Sequence, residues 1–266
     1  MESSPIHYNI VRSVIKSWYF GRNFIYRTTL SSTNILSKRL VLSDYPLPMV
    51  IFAEEQTHGK GRLMRSWFSP LNKGIWMTVV FPPADKSQVF GQYNFIMSLV
   101  IASAVETVTS LKVSFKWPND ILVSDKKFCG ILSETLTGCY AKPIVMTGAG
   151  LNVSIDKDSF PEELRDKATS LSIESGAPVN RQELFIEIVH SLNIIYAIWE
   201  RRGIEPLYHE WLQKCSTTGK NVAISTEKQY INGKAEKINT DGSLVLRDTK
   251  GKLHTIFAGD LEYIIQ

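Results

Sequence analysis

Cysteine is scarce in this chain of 266 residues, which contains only Cys129, Cys139 and Cys215. Their spacing matches no common metal-binding pattern, and their odd number argues against a disulfide framework. Both points favour a reducing compartment, and we expect the cytoplasm.

Long hydrophobic runs and a signal peptide are also missing. The longest apolar run, residues 95–105, is far shorter than the ~20 residues needed to cross a bilayer, so we interpret it as a buried helix. Residues 1–16 carry acidic and polar side chains where a signal peptide needs a continuous apolar region. The sequence therefore predicts neither secretion nor a membrane partner.

The net charge is small, because 30 basic residues stand against 26 acidic ones and give a formal charge of +4. A dedicated nucleic-acid-binding protein usually concentrates its positive charge in a stripe or patch. Anionic small ligands therefore fit this chain better than DNA. The sequence also has no convincing Ser-His-Asp or Cys-His arrangement, which argues against a side-chain nucleophile.

Hydrophobic residues make up 44% of the chain, which is enough for a proper core. The first predicted helix, residues 29–42, is entered through Ser31, Ser32 and Thr33, whose hydroxyls are expected to cap it, and it carries an apolar stripe. The other predicted elements before residue 219 are strands at 49–53, 75–81, 113–117, 121–123, 128–135 and 143–153, a hairpin turn at 124–127, and helices at about 88–109, 180–202 and 206–214.

The composition changes at residue 219 to short alternating strands. They are predicted at residues 221–225, 229–238, 243–247 and 253–258, with tight turns at Asn232-Gly233 and Asp241-Gly242. A β domain of this size is marginal alone, so it is expected to pack on the larger one. The predicted fold class is α+β: a mixed β-sheet domain with flanking helices at residues 1–218 and a small β-barrel domain at residues 219–266.

A basic glycine loop at residues 59–67 reads Gly-Lys-Gly-Arg-Leu-Met-Arg-Ser-Trp. Glycine allows close backbone approach, and Lys60, Arg62 and Arg65 supply positive charge for phosphates or a carboxylate. The alternative is a solvated basic surface loop. Trp67 is suited to stacking on a purine, although a core tryptophan is the alternative. The loop lacks the Walker pattern of P-loop ATPases.

A second polar segment begins with Lys116-Trp117-Pro118-Asn119-Asp120. Proline interrupts the strand ladder and directs the following polar groups toward a cleft. Asp120 is alternatively a turn cap paired with Lys116, and Lys127 is alternatively a solvated hairpin lysine. Glycines within the strand at residues 143–153 suggest that another group approaches the backbone there.

Taken together, these segments resemble the biotin protein ligases. The resemblance covers most of the chain, and its motifs occur in family order: Ser32-Thr33-Asn34, residues 59–67, residues 116–134, and Gly148-Ala149-Gly150-Leu151-Asn152. It implies a catalytic domain followed by an SH3-like β-barrel. Met64 is a departure, since many members have a third loop glycine there, and the loop is therefore expected to be stiffer or differently ordered.

The same resemblance implies a site and a reaction. Biotin would be joined to the α-phosphate of ATP, with Mg²⁺ assisting, to give biotinyl-5'-AMP. A lysine of a biotin carboxyl carrier domain would then take the biotinyl group. The implied catalytic residues are Arg62, Lys127 and Asp120. The implied biotin-binding residues are Ser32, Thr33, Asn34, Gln56, Gly59, Lys60, Gly61, Arg62, Lys127, Gly130, Gly148 and Gly150. The implied ATP-binding residues are Arg62, Arg65, Trp67, Lys116, Asn119, Asp120 and Asn152. Metal ligands are not assigned.

Three alternatives are weighed against this function. A lipoate ligase is expected to show an Arg-rich triple-glycine segment in place of residues 59–67. A biotin-sensing repressor needs a helix-turn-helix domain, for which the residues before Ser31 are expected to be too few, so no DNA partner is predicted. A non-catalytic biotin-binding module would leave the charged loop without a role. The resemblance is also compatible with a homodimer.

Overall fold

A seven-stranded mixed sheet forms the body of the computed structural model, which describes residues 4–83, 91–137, 141–226 and 229–264. Its strand order is β1-β2-β3-β7-β6-β5-β4; β1 is parallel to β2, and the other neighbours are antiparallel. The strands are β1 Phe24–Leu30, β2 Met49–Gln56, β3 Gly74–Val80, β4 Ser114–Lys116, β5 Asp120–Val123, β6 Lys126–Leu136 and β7 Ile144–Asn152.

Helices cover both faces of this sheet. They are α1 Tyr8–Ile15, α2 Thr33–Leu42, α3 Gly91–Thr109, α4 Leu171–Ser175, α5 Arg181–Arg202 and α6 Glu205–Lys214. Alternate residues of β2 enter different apolar cores: Val50 and Phe52 pack with α3 and α5, whereas Met49 and Ile51 pack with α2. No helix within the described residues has the length and hydrophobicity needed to span a bilayer.

The second sheet is antiparallel throughout, with the order β11-β10-β9-β8-β12. Its strands are β8 Asn221–Ser225, β9 Tyr230–Ile238, β10 Leu244–Asp248, β11 Leu253–Ile256 and β12 Asp260–Tyr263. The predicted α+β class with a small C-terminal β domain is confirmed.

The two sheets share one continuous apolar core. Trp117 is fully buried at the junction; its indole Nε1 donates to the carbonyl of Gly242 at 2.9 Å, and its backbone N–H donates to Oγ1 of Thr217 at 3.0 Å. A side chain at Gly91 would meet the carbonyl oxygen of Asp241 at 2.1 Å. The small sheet is therefore packed firmly on the large one, as expected.

A buried ion pair between Glu54 and Arg181 ties the end of β2 to α5. The same carboxylate accepts from the backbone N–H of Ile6 at 2.7 Å and from the hydroxyl of Tyr26 at 3.0 Å. Arg181 also donates to the carbonyl of Gly74 at 2.9 Å. Burial, with the neighbouring Glu54 charge, raises the pKa of Tyr26 to about 12.

The structure corrects several sequence predictions. Residues 29–30 belong to β1, and α2 begins only at Thr33. Ser32 precedes α2 without capping it through its side chain. Asn232-Gly233 lies inside β9 and is not a turn, whereas the turn at 241–242 is present.

Four elements were not predicted at all: α1, β1, α4 and β12. The start of the helix predicted at about residue 88 falls partly outside the described residues, and so does Cys139. Of the other two cysteines, both free, Cys129 is fully buried, which raises the pKa of its thiol.

Candidate active site

A cavity of about 960 Å³ lies where the two sheets meet. Of the predicted site residues, only Gly59 is not part of its wall. Those that line it are Ser32, Thr33, Asn34, Gln56, Lys60, Gly61, Arg62, Arg65, Trp67, Lys116, Asn119, Asp120, Lys127, Gly130, Gly148, Gly150 and Asn152.

The polar end of the cavity is built on the start of α2. Gln56, at the end of β2, accepts the backbone N–H of Thr33 on its Oε1 at 2.9 Å, and thereby does the capping expected of the serine hydroxyls. Its Nε2 donates to Oγ of Ser69 at 3.0 Å, and Ser69 in turn donates to the carbonyl of Trp67 at 3.0 Å. Ser69 carries no motif signal, and sequence reasoning missed it.

Asn34 is buried against the bare backbone of Gly148. A Cβ atom at Gly148 would lie 2.3 Å from Oδ1 of Asn34, so this glycine makes room for a protein side chain. The Asn34 amide donates through Nδ2 to Oε2 of Glu134 at 2.8 Å, and its Oδ1 accepts from Oγ1 of Thr78 at 2.6 Å. Neither Thr78 nor Glu134 was predicted as a site residue.

The α2 face that contributes Asn34 to the cavity is polar. Thr33, Asn34 and Ser37 are buried there together with Val41, whereas Leu36 of the predicted apolar stripe is only partly buried. The deepest face of α2 thus supplies hydrogen-bonding groups to the site.

The basic loop at residues 59–66 is a compact turn. The backbone N–H of Gly61 donates to the carbonyl of Arg65 at 2.7 Å, and that of Trp67 donates to the carbonyl of Gly59 at 2.8 Å. Leu63 and Met64 adopt left-handed φ values of 51° and 61°. Non-glycine residues seldom adopt this conformation, so the third glycine of many relatives would be less strained here. Met64 is 99% exposed.

Both loop arginines contact other parts of the chain. Nη1 of Arg62 donates to Oδ1 of Asn119 at 3.1 Å and to the carbonyl of Gly259 at 3.3 Å, and burial lowers the pKa of Arg62. Arg65 forms an ion pair with Asp260 at the start of β12. The loop therefore connects the large sheet to the small one.

Trp67 lies across the glycine pair Gly130 and Gly150, which face each other on β6 and β7. A Cβ atom at Gly150 would lie 2.3 Å from the indole Nε1, and one at Gly130 would lie 2.8 Å from the ring. The buried Nε1 has no hydrogen-bond partner among the described residues. Nζ of Lys127 stands 5.1 Å from the ring centroid.

Lys127 forms an ion pair with Asp120, with Nζ 2.6 Å from Oδ1. Lys127 is therefore not a solvated hairpin lysine, and the carboxylate does not pair with Lys116 as the alternative reading expected. Instead Nζ of Lys116 stands 5.0 Å from the ring centroid of Tyr263 in β12. Burial lowers the pKa of Lys116, the nearby Asp120 opposes that shift, and Lys127 adds to it.

The side-chain amides of Asn119 and Asn152 both donate hydrogen bonds to backbone carbonyls. Nδ2 of Asn119 donates to the carbonyl of Ile131 at 2.6 Å. This bond orients the Asn119 amide, whose Oδ1 accepts from Arg62. Asn152 is buried, and its Nδ2 donates to the carbonyl of Thr169 at 3.1 Å. Its amide nitrogen thus positions the segment that forms one wall of the cavity.

The described residues contain no cluster of three His, Cys, Asp or Glu side chains able to hold a metal ion. One carboxylate in the wall, Asp120, is already paired with Lys127. Magnesium bound mainly through substrate phosphates, with one or two carboxylates, is compatible with this set of donors.

Comparison with known proteins identifies the family of the chain. The biotin/lipoate A/B protein ligase family model matches residues 24–152. The bifunctional ligase/repressor BirA of Bacillus spizizenii is 31% identical over 252 residues, covering 95% of this chain and 77% of the relative. The biotin--[acetyl-CoA-carboxylase] ligase of Mycobacterium tuberculosis is 29% identical over 221 residues, covering 81% of this chain and 79% of the relative.

Solved structures show the same fold. The biotin protein ligase from Aquifex aeolicus, in complex with biotin and ATP, has a TM-score of 0.76 at 24% identity and covers 92% of this chain and 100% of that chain. The chain belongs to the biotin/lipoate A/B protein ligase family. The predicted enzyme class, a ligase, is confirmed by these relatives.

Proposed function

We propose that this protein is an ATP-dependent biotin protein ligase that forms biotinyl-5'-AMP and transfers biotin to a lysine of a biotin carboxyl carrier domain. The observation that carries the proposal is that one cavity wall combines the polar groups at the start of α2 with the cations of the basic loop. A polar bicyclic urea needs a few fixed donors and acceptors, and a carboxylate and phosphates need fixed cations. One relative named above carries biotin ligation in its name, and another is named as a ligase.

The first step brings two anions together. The biotin carboxylate oxygen attacks the α-phosphorus of ATP, the bond to the β-phosphate oxygen breaks, and pyrophosphate leaves. Arg62 and Lys127 both line the cavity and would offset the repulsion between carboxylate and phosphate. Magnesium, when bound with ATP, would neutralise phosphate charge further.

The second step transfers the acyl group to an amine. The ε-nitrogen of the carrier lysine attacks the carbonyl of the mixed anhydride, the acyl–oxygen bond breaks, and AMP leaves. The lysine starts as an ammonium and must lose a proton first. Asp120 is the carboxylate that we assign to orienting or deprotonating it, since it lies in the cavity wall and pairs with an ammonium already.

The lipoate ligase alternative receives less support. One relative named above is a biotin--[acetyl-CoA-carboxylase] ligase and another is a bifunctional ligase/repressor, and neither is named as a lipoate ligase. A carrier domain as partner, a homodimer and a cytoplasmic location remain part of the proposal.

Mass spectrometry of a carrier domain tests the proposal directly. The carrier would be incubated with the protein, biotin, ATP and magnesium, and pyrophosphate would be assayed in parallel. We expect one biotinyl addition at the acceptor lysine, dependent on ATP. Biotin binding without pyrophosphate release or modification would identify a binding module. Modification by lipoate in preference to biotin would identify the other branch of the family.

A further inference from the structure

Four oxygen atoms stand in a row at the polar end of the cavity. Thr33 Oγ1 lies 3.1 Å from Oε1 of Gln56. Thr78 Oγ1 lies 2.8 Å from Thr33 Oγ1 and 2.6 Å from Oδ1 of Asn34. All three gaps are hydrogen-bond distances, so each gap needs one proton.

Both ends of this row are acceptors. The backbone N–H of Thr33 can only donate, and it lies 2.9 Å from Gln56, so the amide oxygen of Gln56 faces Thr33. At the other end, the Glu134 carboxylate can only accept, and it lies 2.8 Å from the Asn34 amide. The amide nitrogen of Asn34 therefore faces Glu134, and its oxygen faces Thr78.

The row is consequently one proton short. The hydroxyls of Thr33 and Thr78 supply two protons for three gaps. Thr78 has to donate to Asn34, whose oxygen carries no proton, and Thr33 then donates to Thr78 across the shorter of its own two gaps. The 3.1 Å gap between Thr33 and Gln56 is left with two acceptors and no donor. Both residues line the cavity, so a ligand can supply the missing proton.

We propose that Glu134 is a positioning residue that determines ligand specificity. By fixing the Asn34 amide, it keeps the oxygen row one proton short, so that the site selects a ligand with an N–H group at Thr33 and Gln56. Glu134 is not part of the cavity wall and acts through Asn34. The inference rests on the proposed function and deepens it, because the ureido ring of biotin carries N–H groups and the dithiolane ring of lipoate carries none.

Glu134→Gln tests this role. A glutamine amide can turn its nitrogen toward Asn34, which lets Asn34 turn as well, donate to Thr78 and provide the missing proton from within the protein. Calorimetry would compare biotin with the two analogues in which one ureido N–H is replaced by oxygen. For the wild type, we expect the dissociation constant of at least one analogue to be about ten times that of biotin or larger. In Glu134→Gln, that ratio should fall toward one.

Thr78→Val provides a second, independent variant. It removes one oxygen and one proton from the row and frees the Thr33 hydroxyl to donate to Gln56, so it should reduce the same ratio. Combining the two substitutions should not lower the ratio of the analogue dissociation constant to that of biotin further than either substitution does alone. Ser133→Ala is the matched control, because Ser133 precedes Glu134 on β6 and bonds Asn94 and not Asn34.

The outcomes are distinguishable. A wild-type protein that does not bind biotin would contradict the proposed function itself. Biotin binding with an unchanged analogue ratio in Glu134→Gln or Thr78→Val would overturn the role of Glu134 alone. A ratio that falls equally in Ser133→Ala would also overturn it, since general loosening of β6 would then be the cause.

Discussion

The ammonium of Lys127 is held between an acid and an aromatic ring: Nζ lies 2.6 Å from Oδ1 of Asp120 and 5.1 Å from the centroid of Trp67. This places a preoriented cation in the cavity wall at the tip of the β5–β6 hairpin, where a carboxylate substrate would meet it.

We predict that Lys127→Ala weakens biotin binding and adenylate formation together. A charge-assisted hydrogen bond to the substrate carboxylate is worth ~1.5–3 kcal/mol, which corresponds to roughly ten- to a hundredfold in affinity. Calorimetry with biotin and an assay of pyrophosphate release check this. Lys126→Ala, at the exposed neighbouring lysine, is the control. Unchanged adenylation in Lys127→Ala would remove Lys127 from the site.

The basic loop is expected to exchange its amide hydrogens faster without ligand than with it. Ordering a residue costs ~1–2 kcal/mol of backbone entropy, so the substrate's anionic groups are needed to favour the closed loop. Hydrogen exchange of residues 59–66, with and without biotin and ATP, measures this. Equally slow exchange in both states would contradict ligand-dependent closure.

Asp260→Asn should increase loop exchange further in the free protein while leaving the unfolding temperature nearly unchanged. The Arg65 side chain is 67% exposed, and such ion pairs contribute only about 0–1 kcal/mol to stability. Asp156→Asn, which removes the partner of Lys73, is the matched control and should leave the loop as it is. A large fall in unfolding temperature for Asp260→Asn would show a structural role for this pair.

Gly150→Ala should displace the Trp67 ring. The new Cβ would lie 2.3 Å from the indole Nε1, and overpacking of this kind costs ~1–3 kcal/mol. The unfolding temperature should fall in the wild-type background and much less in a Trp67→Ala background, where the ring is gone. An equal fall in both backgrounds would show that the strand itself, and not the ring, requires glycine.

Arg181→Met is predicted to destabilise the fold by ~3–5 kcal/mol, because it leaves the Glu54 carboxylate buried without its cation. Urea unfolding gives this free energy. Lys73→Met is the control, since its ion pair with Asp156 is exposed on the acidic side and is expected to contribute less than ~1 kcal/mol. If Arg181→Met lowered the free energy of unfolding by less than ~1 kcal/mol, the other partners of Glu54 would be sufficient for its carboxylate.

Local signals in the sequence predicted the elements that begin at clear capping residues. The helix after Asn180 is capped as expected, since Oδ1 of Asn180 accepts from the backbone N–H groups of Gln182 and Glu183. By contrast, β1 has three consecutive exposed residues at 27–29, which hides its alternation, and the N-cap residue of α1, His7, forms no side-chain cap. Elements that depend on tertiary pairing leave little local trace.

The candidate site divides in the same way. Residues in contiguous motifs, such as Asn119 and Lys127, were identified in advance, and the structure brings them into one cavity. The partners of Asn34 and Arg65, namely Thr78, Glu134 and Asp260, were not identified, because each is a strand residue whose contact lies far away in sequence. Register and helix packing decide these contacts, and no residue spacing encodes them.

The shared core beneath Trp117 means that the C-terminal sheet cannot be treated as an interchangeable module. Its apolar side chains complete the interior of the preceding residues, and the turn at 241–242 fits against the bare backbone of Gly91. A chimera that takes residues 219–266 from a relative would have to match both surfaces at once. We therefore expect a single cooperative unfolding transition only when the two parts come from the same protein, and a chimera that fails to match either surface should lose it.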